Sequence, residues 1–280
     1  MNKVKKILVP INFSEASING YQYAMKLADA AEGEIELLHV VHPEIANMDV
    51  PVLAAQATQK RVETAVELIR AFKEVHAIEV KHNVIVETDV EVGGAANTIA
   101  FVAQRDQVDF IIMGRDPDHT RIDRWLGTTS STVIHKAHCP VLVVPPTFTF
   151  LKPETAIYAT DMREEDPFQI WNAFQLISPH VPILKVVHVH EHRDDSATEM
   201  MEKFRSFFAD QLPALKIEFY HLPGKHIQQV IAEFEDLHDA QLLIMYRPDR
   251  TWLEDLFHRS MTERMAQSNP VPLLVLKKAK

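Results

Sequence analysis

The stretch MGRDPDHTRIDRWLGT, Met113 to Thr128, carries the residue types and spacing best suited to chemistry. It follows an apolar run, Val108–Met113, that reads as a buried strand, and it ends in Gly127-Thr128 at the start of a helical segment, Thr129–Ala137. A strand, a long loop with glycine at both ends and a helix opening in Thr128-Thr129-Ser130-Ser131-Thr132 make an anion site. Glycine lets backbone N–H groups approach phosphate oxygens closely, and the helix start adds unpaired donors and a partial positive charge. Hydroxyls in that turn serve as caps or as phosphate ligands. The competing reading is a surface loop ahead of an ordinary capped helix.

Alternating elements must position this loop. Lys5–Ile11 is continuously apolar, as expected of a parallel strand covered on both faces. Ser14 is placed to cap a helix carrying Tyr21, Ala24, Met25 and Ala28 on one face, with Gly33 closing it. Glu34–Val41 reads as a second strand. A Pro-flanked linker (Pro43, Pro51) then leads to a long helix with Val62, Ala65, Val66, Ile69 and Phe72 on one face. Ile78–Val86 reads as a third strand, Gly93-Gly94 opens another helix, and Pro140–Val144 is a fifth strand after the loop. This order predicts an α/β fold with a mainly parallel sheet.

The pattern then repeats. Thr155–Asp161 lines up with Lys6–Asn12 at an offset of 149, Ala156 falling opposite Ile7, Asp161 opposite Asn12 and His188 opposite His39. Further on the offset is 132, with Leu243-Ile244-Met245 on Ile111-Ile112-Met113 and Ser260 on Thr128. Two constant offsets mean a duplicated domain, expected at 1–147 and 153–280 around a short junction at 148–153. The second copy of the loop reads Tyr246-Arg247-Pro248-Asp249, nine residues, Arg259-Ser260, and has lost every glycine. Six of the seven glycines lie in the first half, so the phosphate-type site is expected there alone.

Composition narrows the partners. Hydrophobic residues make up 46% and charged residues 24%, values of a globular chain. The net charge of −10 divides evenly, −5 on each side of residue 150. With no basic half, neither nucleic acid nor an anionic membrane is an expected partner. No apolar run reaches the ~20 residues of a bilayer span, and the basic start Met1–Lys6 leads into a strand-like run, unlike a signal peptide. The single cysteine, Cys139, fits a cytoplasmic location and reads as buried filler. His188, His190 and His192 alternate, which on a continuing strand would raise a Zn²⁺ site; the favoured reading keeps His188 in the strand, His190 and His192 in the following loop, and no metal. Met200, Phe204, Phe207 and Phe208 read as core or interface, and Trp125 and Trp252 occupy nearby positions in the two loops.

At this point both halves resemble universal stress protein domains, and the whole chain resembles the tandem members of that family. The resemblance rests on Ile7-Leu8-Val9-Pro10 with Asn12-Phe13-Ser14, Leu37-Leu38-His39-Val40, Val108–Gly114 and Cys139–Pro145. It implies two tandem five-stranded, mainly parallel sheets flanked by helices, the Rossmann-like three-layer α/β/α fold of adenine nucleotide alpha hydrolases. ATP-binding members carry Gly-x-x-Gly, nine residues, then Gly-Ser or Gly-Thr; here Gly114, Gly127 and Thr128 match while Pro117 replaces the second glycine. Asn12 stands where the family usually has aspartate.

The resemblance implies ATP, or AMP or ADP instead, in the first half, serving a stress-response regulatory role. Ile11, Asn12 and Val40 would hold the adenosine. Met113, Gly114 and Gly127 would give backbone approach, Arg115 would pair with phosphate, and Thr128 and Thr129 would donate to it. No catalytic residue is expected, and slow ATP hydrolysis at most. The rival reading is a scaffold binding no nucleotide, whose protein partner the sequence does not name; a homodimer is left open.

Overall fold

The structure, a computed structural model, describes residues 6–43, 51–82, 84–115, 128–146, 148, 153–164, 166–177, 183–191, 195–209, 216–247 and 271–277. It divides into two compact units, Lys3–Phe150 and Leu151–Lys280.

In the first unit the apolar run becomes β1 (Lys6–Ile11), with Ile7, Leu8 and Val9 fully buried. Ser14 caps α1 (Glu15–Ala31), its hydroxyl oxygen accepting from the Ser17 N–H at 3.3 Å. There follow β2 (Glu34–Val41), α2 (Pro51–Val75), β3 (Ile85–Val92), α3 (Ala95–Arg105), β4 (Phe110–Gly114), α4 (Thr128–Lys136) and β5 (Val141–Val144). The strands are parallel and lie in the order β3-β2-β1-β4-β5. Helices α1 and α2 cover one face of the sheet, and α3, packed on α4, covers the other.

The second unit repeats the plan: β6 (Thr155–Ala159), α5 (Asp166–Ile177), β7 (Ile183–His190), α6 (Asp195–Ala209), β8 (Lys216–Pro223), α7 (Ile227–Leu237), β9 (Leu242–Arg247) and β10 (Leu273–Lys277). Its order, β8-β7-β6-β9-β10, mirrors the first. The repeat extends to backbone detail. Phe13 and Met162 both take the left-handed region (φ 64° and 59°), as do Gln107 and Asp239 (φ 52° and 46°), each pair one offset apart. His39 Nδ1 donates to the Ile11 carbonyl at 2.9 Å, and His188 Nδ1 donates to Thr160 at the same distance.

Several expectations shift. The third strand is Ile85–Val92 rather than Ile78–Val86, and β4 starts at Phe110 rather than Val108. β3 pairs only with β2, so this edge tolerates Glu87, Asp89 and Glu91. The earlier apolar residues fall in a crossing tied to α1, where Lys26 Nζ donates to the Glu79 carbonyl at 3.0 Å and the His82 N–H to Asp29 at 2.7 Å. The left-handed residue ending α1 is Glu32 (φ 52°), not Gly33, whose N–H bonds the Ala28 carbonyl at 2.9 Å. On α6 the inward face is Ala197, Met201, Phe204 and Phe208, while Phe207 is half exposed.

Candidate nucleotide crevice

In the first unit the chain winds outward from β1 through β2 to β3, then returns to β4 and β5 on the other side of β1. The winding therefore reverses between β1 and β4, the place where open parallel α/β sheets take ligands above their strand ends. There the backbone ladder between the two strands is short. Their ladder holds only Ile7 against Phe110 and Leu8 against Ile111. Yet β1 stays on β2 as far as Ile11 against His39, and β4 stays on β5 as far as Gly114 against Val144.

Beyond the last rung of this ladder lie Ile11 and Asn12 on β1's side and Gly114 and Arg115 on β4's. Asn12 is exposed, and its carboxamide oxygen accepts from the Ser14 N–H (3.2 Å) and hydroxyl (2.6 Å). It thus closes the turn that starts α1, a local side-chain turn of the Asx kind. Phe13, held in the left-handed region, lays its ring 4.5 Å from that of His39. Neither Phe13 nor His39 was singled out for the site; the shared histidine in both repeats was the available signal.

Gly114 is set by packing. A Cβ there would land on the Ala16 carbonyl oxygen of α1, and a Cβ on Gly20 would lie 2.7 Å from the Gly114 nitrogen. These two glycines let the first turns of α1 press against the end of β4. Arg115 follows, its N–H donating to the Val144 carbonyl at 2.8 Å, and burial draws its guanidinium pKa below the ordinary value. Met113 is buried, and Val40 lies one strand further out, in register with Glu91 of β3. Thr128 begins α4 and Thr129 is exposed in its first turn. Pro117, Gly127 and Trp125 lie outside the described residues.

The second unit differs at each of these points. β6 stays on β9 through Ala156, Ile157, Tyr158 and Ala159, against Leu242 to Met245, two pairs further than β1 on β4. Gln169 replaces Gly20 and Tyr246 replaces Gly114, and both are buried. Under them Asp166 accepts from the Tyr158 hydroxyl (2.7 Å), the Thr160 hydroxyl and the Arg163 N–H (2.9 Å). Burial, only partly offset by these donors, raises the Asp166 pKa, and burial beside that carboxylate lifts the Tyr158 phenol well above its usual range. Where the first unit has the Asn12–Ser14 turn, the second has an ion pair, Arg163 Nε to Asp161 at 2.6 Å. Trp252 and the Arg259-Ser260 end of this loop lie outside the described residues.

The histidines fall otherwise than the sequence suggests. His190 is the last residue of β7 rather than part of a loop, and His192 lies outside the described residues. The third imidazole near His188 and His190 is His221 of β8, with ring centroids 5.2 and 4.0 Å away. Among the described residues no three His, Cys, Asp or Glu groups are placed to hold a metal ion.

A doubly wound parallel α/β unit, present twice, each copy reversing its winding beside its first strand, is the class of protein these features define. Residues 3–145 match the model of the universal stress protein family, and the chain belongs to that family. It is 30% identical over 149 residues to a universal stress protein of Methanocaldococcus jannaschii, a match covering 51% of this chain and 83% of that protein. Over 288 residues it is 20% identical to a universal stress protein of Mycolicibacterium smegmatis, covering 97% of this chain and 96% of the relative. A universal stress protein from Archaeoglobus fulgidus has a crystal structure of the same fold, with a TM-score of 0.67 at 16% identity over 99% of this chain and 98% of that one. Among the described residues no helix is long and apolar enough to cross a membrane.

Proposed function

We propose that the chain is a regulatory binding protein that takes one adenine nucleotide, ATP or its di- or monophosphate, in the crevice between β1 and β4. The observation that carries this reading is the reversal of the winding between β1 and β4, in the unit whose β4 leads into the Gly114–Thr128 loop. The adenosine lies over Ile11 and Asn12 with Val40 at the rim, and the phosphates extend toward Gly127, Thr128, Thr129 and the start of α4. Arg115, the residue after β4, is placed to pair with a phosphate. In this reading occupancy rather than turnover carries the signal to a protein partner.

Calorimetric titration of the full chain with ATP tests the reading. Wild type releases or absorbs heat in a saturable way, and Gly127→Arg, which fills the phosphate approach, gives none. A flat wild-type titration favours the scaffold reading in its place.

A further inference from the structure

At the carboxyl ends of β7 and β8 the second unit carries three imidazoles where the first carries one. His188 and His190 alternate on β7, and the register sets His221 of β8 beside His188. All three project from one face of the sheet and are half-buried there. Ring centroids lie 5.2 Å apart for His188 and His221 and 4.0 Å for His190 and His221. His188 and His190 stand 6.4 Å apart with their planes at 15°. At the matching register positions of the first unit, β2 and β3 hold His39, Val41 and Val90. The face is the one α6 covers, since Arg205 of α6 stands 5.6 Å over the ring of Phe219, two residues before His221.

Uncharged, these rings pack on one another and hold β8, whose only strand partner within the unit is β7. Charged, they are like charges kept within a few ångströms. Among the described side chains, the acids of the surrounding elements are each matched already. Asp161 pairs with Arg163 (2.6 Å), Glu191 with Lys225 (3.2 Å), Glu199 with Lys203 (3.0 Å) and Glu202 with Arg205 (3.7 Å). Asp166 of α5 takes the Tyr158 and Thr160 hydroxyls. We propose that the second unit responds to protons: the His188–His190–His221 trio fastens β8 to β7 while neutral and loosens it on acidification. Unfolding separates the rings, and the free chain takes up its protons through the ordinary histidine range, near 6.5. The folded trio keeps them together, so below about pH 6.5 the folded state binds fewer protons than the unfolded and the hold on β8 weakens as pH falls. Glu235 of α7, where burial raises the carboxyl pKa, acts with the opposite sign. The response needs no nucleotide and gives the copy that lost the loop glycines a role of its own.

The test is hydrogen exchange of the full chain at about pH 7.5 and about pH 5.5, on either side of that range, read as protection relative to an unstructured chain at each pH. Wild type is compared with the double variant His190→Val, His221→Val, which copies Val41 and Val90 of the first unit. Acid is expected to lower the protection of 216–223 about tenfold further in wild type than in the variant. Glu235 is present in both proteins, so its contribution cancels. Segment 85–92, the matching edge of the first unit, is expected to change alike in the two. An equal acid loss over 216–223 in both proteins overturns the proposal, and so does a larger loss in the variant. If the double variant does not fold, His221→Val removes the ring lying nearest both others, and the same comparison decides. A wild-type loss as large over 155–159 as over 216–223 means that the whole unit opens, and overturns the hold on the edge strand.

Discussion

Glu235 occupies in the second unit the place Ala103 holds in the first, one offset of 132 away, and both are buried. Its Oε1 meets no hydrogen-bond donor among the described residues, and burial, with Asp236 adding a like charge, pushes its pKa up to about 8. The folded carboxyl therefore keeps its proton over a range in which the unfolded chain, titrating near 4.5, has lost it. Stability consequently falls as pH rises from about 4.5 to about 8, by at most about 5 kcal/mol. Glu235→Gln, neutral throughout, is expected to remove that part of the slope, so that the substitution stabilises at pH 8 more than at pH 5. Urea unfolding of both proteins at the two values checks it; parallel pH slopes sink the idea. Nothing in the local sequence Phe234-Glu235-Asp236 separates a buried carboxyl from a solvated one. Only the comparison with Ala103 does, because burial belongs to the helix position rather than to the residue type.

At the scale of elements, the contact between α1 and β4 is the tightest constraint on the crevice. Alanine at Gly20 improves helix propensity by up to ~1 kcal/mol, yet its Cβ would meet the Gly114 backbone at 2.7 Å. Gly114→Ala is worse, since the atom it meets is a helix carbonyl that moves only if α1 moves. Gly114→Ala is expected to destabilise by about 1–3 kcal/mol or more, and Gly20→Ala by less, because propensity offsets part of the clash. Denaturant midpoints of the two variants decide it, and a Gly114→Ala protein as stable as wild type removes the packing explanation. This contact was half legible: a lone glycine inside a helical pattern signals close approach, but which strand approaches is a tertiary fact. The central strands β1 and β2 were readable almost to the residue, β1 from its unbroken run Ile7–Ile11 and β2 from the density of Ile35, Leu37, Leu38, Val40 and Val41. The edge strand β3 was misplaced for the opposite reason, as its charged alternation resembles a loop and the apolar stretch before it resembles a strand.

For the molecule as a whole, duplication supplies an internal control that no single domain offers. The two copies share His39 and His188 on the same carbonyl and share left-handed turns, so their frames agree. Against that frame they diverge together at the switch point: Pro10 against Ala159, Gly20 against Gln169, Gly114 against Tyr246, and the Asn12–Ser14 turn against the Asp161–Arg163 ion pair. The loss of loop glycines and the tyrosine at 246 were visible in the sequence; the longer β6–β9 ladder was not, because it depends on strand pairing. Four coordinated changes at one place argue that the second crevice is closed by its own side chains rather than merely weakened. Binding is therefore expected at one ATP per chain. Equilibrium dialysis against labelled ATP checks the count, and Tyr246→Ala is expected to leave it at one, since Gln169 and the Asp161–Arg163 ion pair still stand at the second switch point. At ATP one hundred times its dissociation constant, linkage alone stabilises the binding unit by about 2.7 kcal/mol. That gain is expected to vanish in Gly127→Arg and to persist in Tyr246→Ala. Two ATP per wild-type chain, or a gain lost in Tyr246→Ala, contradicts the asymmetry that the strand ladders and the paired glycines support.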